Sequence, residues 1–297
     1  MVPLIALVGL LGFCLGSHGG KHSGTSPESK SESAFKKMMN HAPAWSPGEN
    51  LILFDSDRDG DTELYTIDPD RGTLRKLTDN QATDGPARWT RDGKFILFKS
   101  DRDGLMKMFR MRPDGSEQKT LDNYDETIES VSPDGRTKLV VSANEGQEVI
   151  VAIAHDGIKQ QLTRNSIASQ PAFSPDGQRI VYEDRLDNDI LKSRIVIMNR
   201  DGSNAKDLAV GTDPSWSPDG SLIVFKTPST QAGGFGLEVS TIRPDGSSFT
   251  RLGPGVHPSW SHDGHRIAFM GETSQDRTDI WVMNRDGTNK KCLTCSQ

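Results

Sequence analysis

"WSPDG", residues 216–220, and "WSHDG", residues 260–264, are two copies of one phrase. Earlier versions stand at 45–48 ("WSPG"), 89–93 ("WTRDG"), 131–135 ("VSPDG") and 173–177 ("FSPDG"). The lead residues Trp45, Trp89, Val131, Phe173, Trp216 and Trp260 follow one another at intervals of 44, 42, 42, 43 and 44. Six units at this period fill residues 42–297, and a period of roughly 40–45 residues marks a repeat architecture.

The interior of each unit is also shared. An alternating apolar run follows the turn, as in "NLILFDS", "KFILFKS", "QRIVYED" and "SLIVFKT". A polar turn and a second run come next ("ELYTID", "RIVIMN", "DIWVMN"), then another Asp-Gly turn and a short "RKLT", "QQLT" or "KCLT" segment. Proline presets one turn dihedral, aspartate tolerates the next position, and glycine takes the left-handed angle that closes the hairpin. Three such turns join four short antiparallel strands. The expected fold is therefore all-β, a six-bladed β-propeller of four-stranded antiparallel blades. Lead aromatics belong between the blades, because a single blade cannot cover both faces of its sheet.

The "WSPDG–IaF–SDRDG–lY–D–LT" pattern resembles the repeats of six-bladed TolB-type propellers of bacterial envelopes, which also occur as the propeller domains of some peptidases. The resemblance spans all six units. It implies fold strongly and function weakly, since propellers host unrelated activities. It reaches the propeller alone, as the chain offers no room for the N-terminal α/β domain of full-length TolB.

Within this frame the acidic run "DSDRDGDTEL" at 55–64 falls on the hairpin between second and third strands, where "SDRDG" recurs at 100–104. Turn geometry itself favours Asp and Gly there. A helix-flanked calcium loop would need glutamate at its twelfth position, and counting from Asp55 that residue is Thr66. Asp55, Asp57, Asp59, Asp61 and Glu63 nevertheless form the one oxygen set in the chain rich enough to be a candidate calcium site; no other cofactor is expected.

Catalytic motifs are sparse. No G-x-S-x-G elbow is present, so a non-enzyme is expected. His155, His262 and His265 sit in or beside Asp-Gly turns. Cys292 and Cys295 form a terminal C-x-x-C that two thiols cannot turn into a zinc site; an exported chain could pair them as a disulfide. Propellers bind at the channel mouth, where inner strands begin. By register the candidate binding residues there are His41, Asp84, Glu126, Gln170, Asp213 and His257.

The remaining chain sets location. Residues 1–16, "MVPLIALVGLLGFCLG", have the length of a signal-peptide core, with Cys14 as the candidate for lipid anchoring although bulky Phe13 precedes it. Residues 17–40 read as a flexible linker and 41–297 as the propeller. Net charge is −6 with no basic stripe, which argues against nucleic-acid binding. The expectation is a periplasmic or secreted monomer, a non-catalytic scaffold for a protein or peptide partner, touching membrane only through an N-terminal lipid. The alternative is a metal-dependent sugar- or small-ligand-active propeller using the channel mouth, where His41 and His257 alone are placed to ligate.

Overall fold

The computed structural model describes residues 39–121, 128–144, 147–164, 167–185, 192–230, 236–274 and 277–295. The expected leader (1–16), most of the linker and Glu126 lie outside the described residues. The described strands form six antiparallel sheets of four, each a sequential meander arranged as one blade of a propeller. The first strand of blade one starts at Asn40, one residue ahead of the expected boundary.

First strands touch their neighbours from blade three round through blade six to blade two, so they line the axis, and fourth strands lie outside. Each "SPDG" turn is fastened in one way. In blade five the Ser217 hydroxyl donates to Asp219 Oδ1 at 2.6 Å and accepts the Leu222 N–H at 2.9 Å, while Gly220 takes φ +68°. The "LT" threonine has an equally local cause. Thr78, Thr163 and Thr294 accept the N–H of Leu64, Ile150 and Ile280 at 2.9, 2.9 and 3.0 Å, feeding third-strand donors that the short fourth strand leaves over.

Packing lies between blades. Trp89, Ile96, Phe98, Phe109 and Met111 of blade two close on Leu53, Leu64 and Leu77 of blade one. Trp216, Ile223 and Phe225 of blade five close on Val181, Ile195 and Ile197 of blade four. Each such side chain leaving water contributes roughly 1.5–3 kcal/mol, and only the ring makes that burial available to a lone sheet.

The ring closes without strand exchange among the described residues, because blades one and six each draw all four strands from one end of the chain. Side chains hold the seam instead. Trp45, Ile52, Phe54 and Tyr65 pack on Ala268, Ile280, Val282 and Leu293. Asn40 donates its backbone N–H to Thr278 Oγ1 at 3.0 Å and its Nδ2 to the Thr278 carbonyl at 2.8 Å. Lys291 Nζ donates to the Pro69 carbonyl at 2.9 Å on the rim.

Candidate functional site

The mouth of the channel is built by a bend that the inner strands share. Three places before the lead residue, Ala42, Gln170, Asp213 and His257 take left-handed φ values of 43°, 51°, 56° and 51°. Ladder register breaks at the same point, between Thr212 and Ser215 in blade five and between Val256 and Ser259 in blade six. Such a conformation costs a side-chain-bearing residue about 1–2 kcal/mol, and strain of this kind gathers where a strand must re-aim its side chains. Gln170 and His257 emerge exposed from otherwise covered strands.

The bend brings charge together. Asp213 Oδ2 lies 2.6 Å from Lys226 Nζ in its own blade and 3.3 Å from His257 Nδ1 in the next. Burial opposes ionisation of Asp213, but the His257 hydrogen bond and the Lys226 charge outweigh it and hold the carboxyl well below the usual carboxylate range. Its backbone N–H reaches Glu183 Oε2 at 3.4 Å, and buried Glu183 is held by Arg185 Nε at 2.6 Å. At blade one His41 Nδ1 and Asp55 Oδ2 stand 3.0 Å apart. That hydrogen bond raises the His41 imidazole above its ordinary value although burial pulls the other way.

Of the six residues expected at the mouth, the structure joins Asp213 directly to His257 and leaves Gln170 open at the same bend. His41 stands one place earlier in its strand. Asp84 stands two places earlier and is fully buried, held by Arg102 Nη2 at 2.9 Å and Asn80 Nδ2 at 2.7 Å. The equivalent residue in blade one is Asn40, which accepts from Arg58 Nη2 at 3.0 Å. Asp84 therefore supports the junction of blades one and two behind the mouth. Lys226 and Glu183 escaped the sequence reading; the signal was a charged residue at one register of two apolar second strands, matched by Asp55 in blade one and Lys99 in blade two.

The carboxylates of the acidic run have separate partners. Asp55 meets His41; Asp57 Oδ1 accepts the Met39 N–H at 2.7 Å; Asp59 accepts from the Tyr65 hydroxyl at 2.6 Å and faces Lys76 at 3.1 Å. Glu63 is buried and accepts the Asn80 N–H at 2.6 Å, while Asp61 is half-exposed. The arginine of the motif is a staple. Arg58 stacks 4.8 Å from the Tyr65 ring centre and donates Nε to Ser56 Oγ at 3.2 Å; Arg102 does the same over Phe109 at 4.7 Å and to Ser100 Oγ at 2.9 Å. Among the described residues, Asp279, Cys292 and Cys295 form a group with metal-ligand spacing. Its thiols are joined as a disulfide with Cα atoms 5.8 Å apart, and Asp279 is already held by Arg277 at 2.9 Å and Thr294 Oγ1 at 2.7 Å. His155, His262 and His265 are exposed on turns.

A family model described as the TolB beta propeller domain matches residues 25–211. The "Uncharacterized peptidase YuxL" of Bacillus subtilis is 28% identical over 146 residues, which are 48% of this chain and 22% of that protein. The chain thus corresponds to far less than two thirds of the curated relative. TolB from Acinetobacter baumannii superposes with a TM-score of 0.60 and 16% identity over 86% of this chain and 63% of that one. An oligogalacturonate lyase in complex with manganese superposes with a TM-score of 0.52 and 14% identity over 86% and 77%. At these identities the two structures share the fold alone.

Proposed function

Because the chain belongs to the TolB beta propeller domain family, we propose that it is an exported, non-catalytic scaffold that captures a protein or peptide partner at the channel mouth. The observation that carries this reading is the mixed-charge cluster of Asp213, Lys226 and His257 beside exposed Gln170, set on strained backbone at one end of the axis. Strain and a partly buried ion pair both disfavour folding, and a solvent-filled hole needs neither. An extended segment entering the mouth would find the Lys226–Asp213 pair for its charged side chains and Gln170 for its backbone. The cell envelope is the setting the leader-like residues 1–16 and the family favour, with the linker as tether and the propeller as a monomer.

A second reading draws on the two histidines. Each has Nδ1 on a carboxylate, His41 on Asp55 and His257 on Asp213. This arrangement fixes the tautomer and leaves Nε2 as an acceptor suited to a metal. A metal-dependent small-ligand or sugar site would use those atoms. Photo-crosslinking in the native cells separates the readings. A crosslinker at Gln170 or His257 should trap one discrete protein, and one at Asp176 on the opposite face should trap none. Equal labelling from both faces, or a stoichiometric transition metal in purified protein with no trapped partner, removes the scaffold reading.

A further inference from the structure

Five of the six lead positions carry a ring and blade three carries Val131. The indoles show where such a ring goes. Trp89 Nε1 donates to the Ala44 carbonyl of the preceding blade at 3.0 Å, Trp216 to Ala172 at 3.1 Å and Trp260 to Ser215 at 3.3 Å. By the same geometry a ring at position 131 would lie against blade two beside Arg88. A cavity of about 600 Å³ opens there at the end of the channel, lined by Trp89 and Leu97 of blade two, Glu129 and Val131 of blade three, Phe173 of blade four and Trp216 of blade five. Five hydrophobic clusters bridge the other neighbouring blades, and none bridges blades two and three among the described residues. Arg91 spans this junction instead, its Nη1 donating to the carbonyls of Val131 and Ser132 at 3.2 and 2.6 Å.

We infer that this cavity, at the end of the channel opposite the charged mouth, is a binding site for a planar aromatic ligand of the indole type. Its volume falls within the roughly 300–1,000 Å³ of small-ligand sites. Trp89 and Phe173 line it as largely buried rings, and a further ring meets such neighbours by offset or edge contact. Glu129 offers an acceptor for a ring N–H. Its side chain is exposed at the cavity edge. A ligand lying against blade two here would take the place of the ring that blade three lacks.

The test is titration of the intact ¹⁵N-labelled protein with N-acetyl-L-tryptophanamide, followed by amide shifts. The inference expects saturable shifts at 88–91 and 129–131, half-saturated below about 1 mM, with residues 41, 213 and 257 unmoved. Val131→Trp should fill the space and weaken binding at least about tenfold. Leu97→Phe narrows it from blade two and should act in the same direction. Shifts at the mouth alone, no saturation by about 10 mM, or undiminished affinity in a folded Val131→Trp protein would overturn it. Should neither variant fold, the location of the shifts in the parent decides.

Discussion

Lys226 and Asp213 form an ion pair of 2.6 Å between the second and inner strands of blade five, with side chains 11% and 17% exposed. The contact joins a residue on strained backbone to one on a regular strand, so it fixes the bend as well as neutralising the charge.

Removing the cation should expose that dependence. Lys226→Met leaves Asp213 with His257 alone and should cost about 2 kcal/mol at pH 7, less than a fully buried pair because His257 remains. A carboxylate with a depressed folded pKa contributes stability that is present above its unfolded value of 3.8 and is lost as pH falls through the folded value. Both proteins should keep their respective contributions down to pH values near 4; below that the parent should lose the larger amount, because its folded carboxyl titrates further beneath 3.8. Urea denaturation at pH 7 checks the cost, and its continuation below pH 4 checks the difference in acid loss.

His41 works in the opposite sense. Its folded pKa is raised, so its contribution is fully present below the ordinary 6.5 and disappears as pH rises through the folded value. Following the ring protons by NMR should place the titration above 6.5 in the parent, and Asp55→Asn should bring it back down. An unchanged midpoint in that variant would mean that Asp57 and the remaining field, rather than the 3.0 Å hydrogen bond, set the shift.

Asp84 and Arg102 give a prediction that the repeat itself supplies. Arg102→Met leaves a fully buried carboxylate without its main partner and should destabilise by about 3 kcal/mol. Blade one tolerates Asn40 at the same place. Adding Asp84→Asn to Arg102→Met should therefore recover most of the loss, measured as a double-mutant cycle by chemical denaturation.

These cases also show what could be read from the sequence. The strands, their order and the blade count follow from turn chemistry and period, which are local, so "WSPDG" and "SDRDG" carried them. The mouth was only half legible. Counting back three to five places from the lead residue gathers residues of different surroundings, because a bulge breaks strict alternation: Gln170, Asp213 and His257 lie at the bend, whereas Asp84 is buried at the junction of blades one and two. Lys226 and Arg91 act across strands or blades, and one unit read alone shows no reason for either. Ring closure was equally out of reach, because Asn40 and Thr278 meet only once the ring is shut.

The acidic run should behave as a turn toward calcium. Asp57→Ala with Asp59→Ala removes acceptors from the Met39 N–H and the Tyr65 hydroxyl and should cost about 1–2 kcal/mol. The loss should be the same with calcium or with a chelator. A calcium-dependent rise in the parent melting temperature that the double variant lacks would restore the metal reading of Asp55, Asp57, Asp59, Asp61 and Glu63.

Arg91→Pro sets the repeat consensus against the junction between blades two and three. Four other units place proline at this turn position, and proline at a compatible site usually stabilises by about 0.4–1 kcal/mol through the unfolded chain. Here it would delete the two hydrogen bonds that Arg91 sends to Val131 and Ser132, bonds from a charged donor that are each worth about 1.5–3 kcal/mol when well covered. Arg91 is exposed overall, which puts the pair nearer 2 kcal/mol in total, and the net change should be a loss of about 1 kcal/mol. The loss should also be local. Amide exchange should quicken across residues 128–144 and stay unchanged in blades five and six, because the other junctions keep their hydrophobic clusters. A net gain in stability would show that Arg91 is a neutral departure from the consensus and that the junction is held by other contacts.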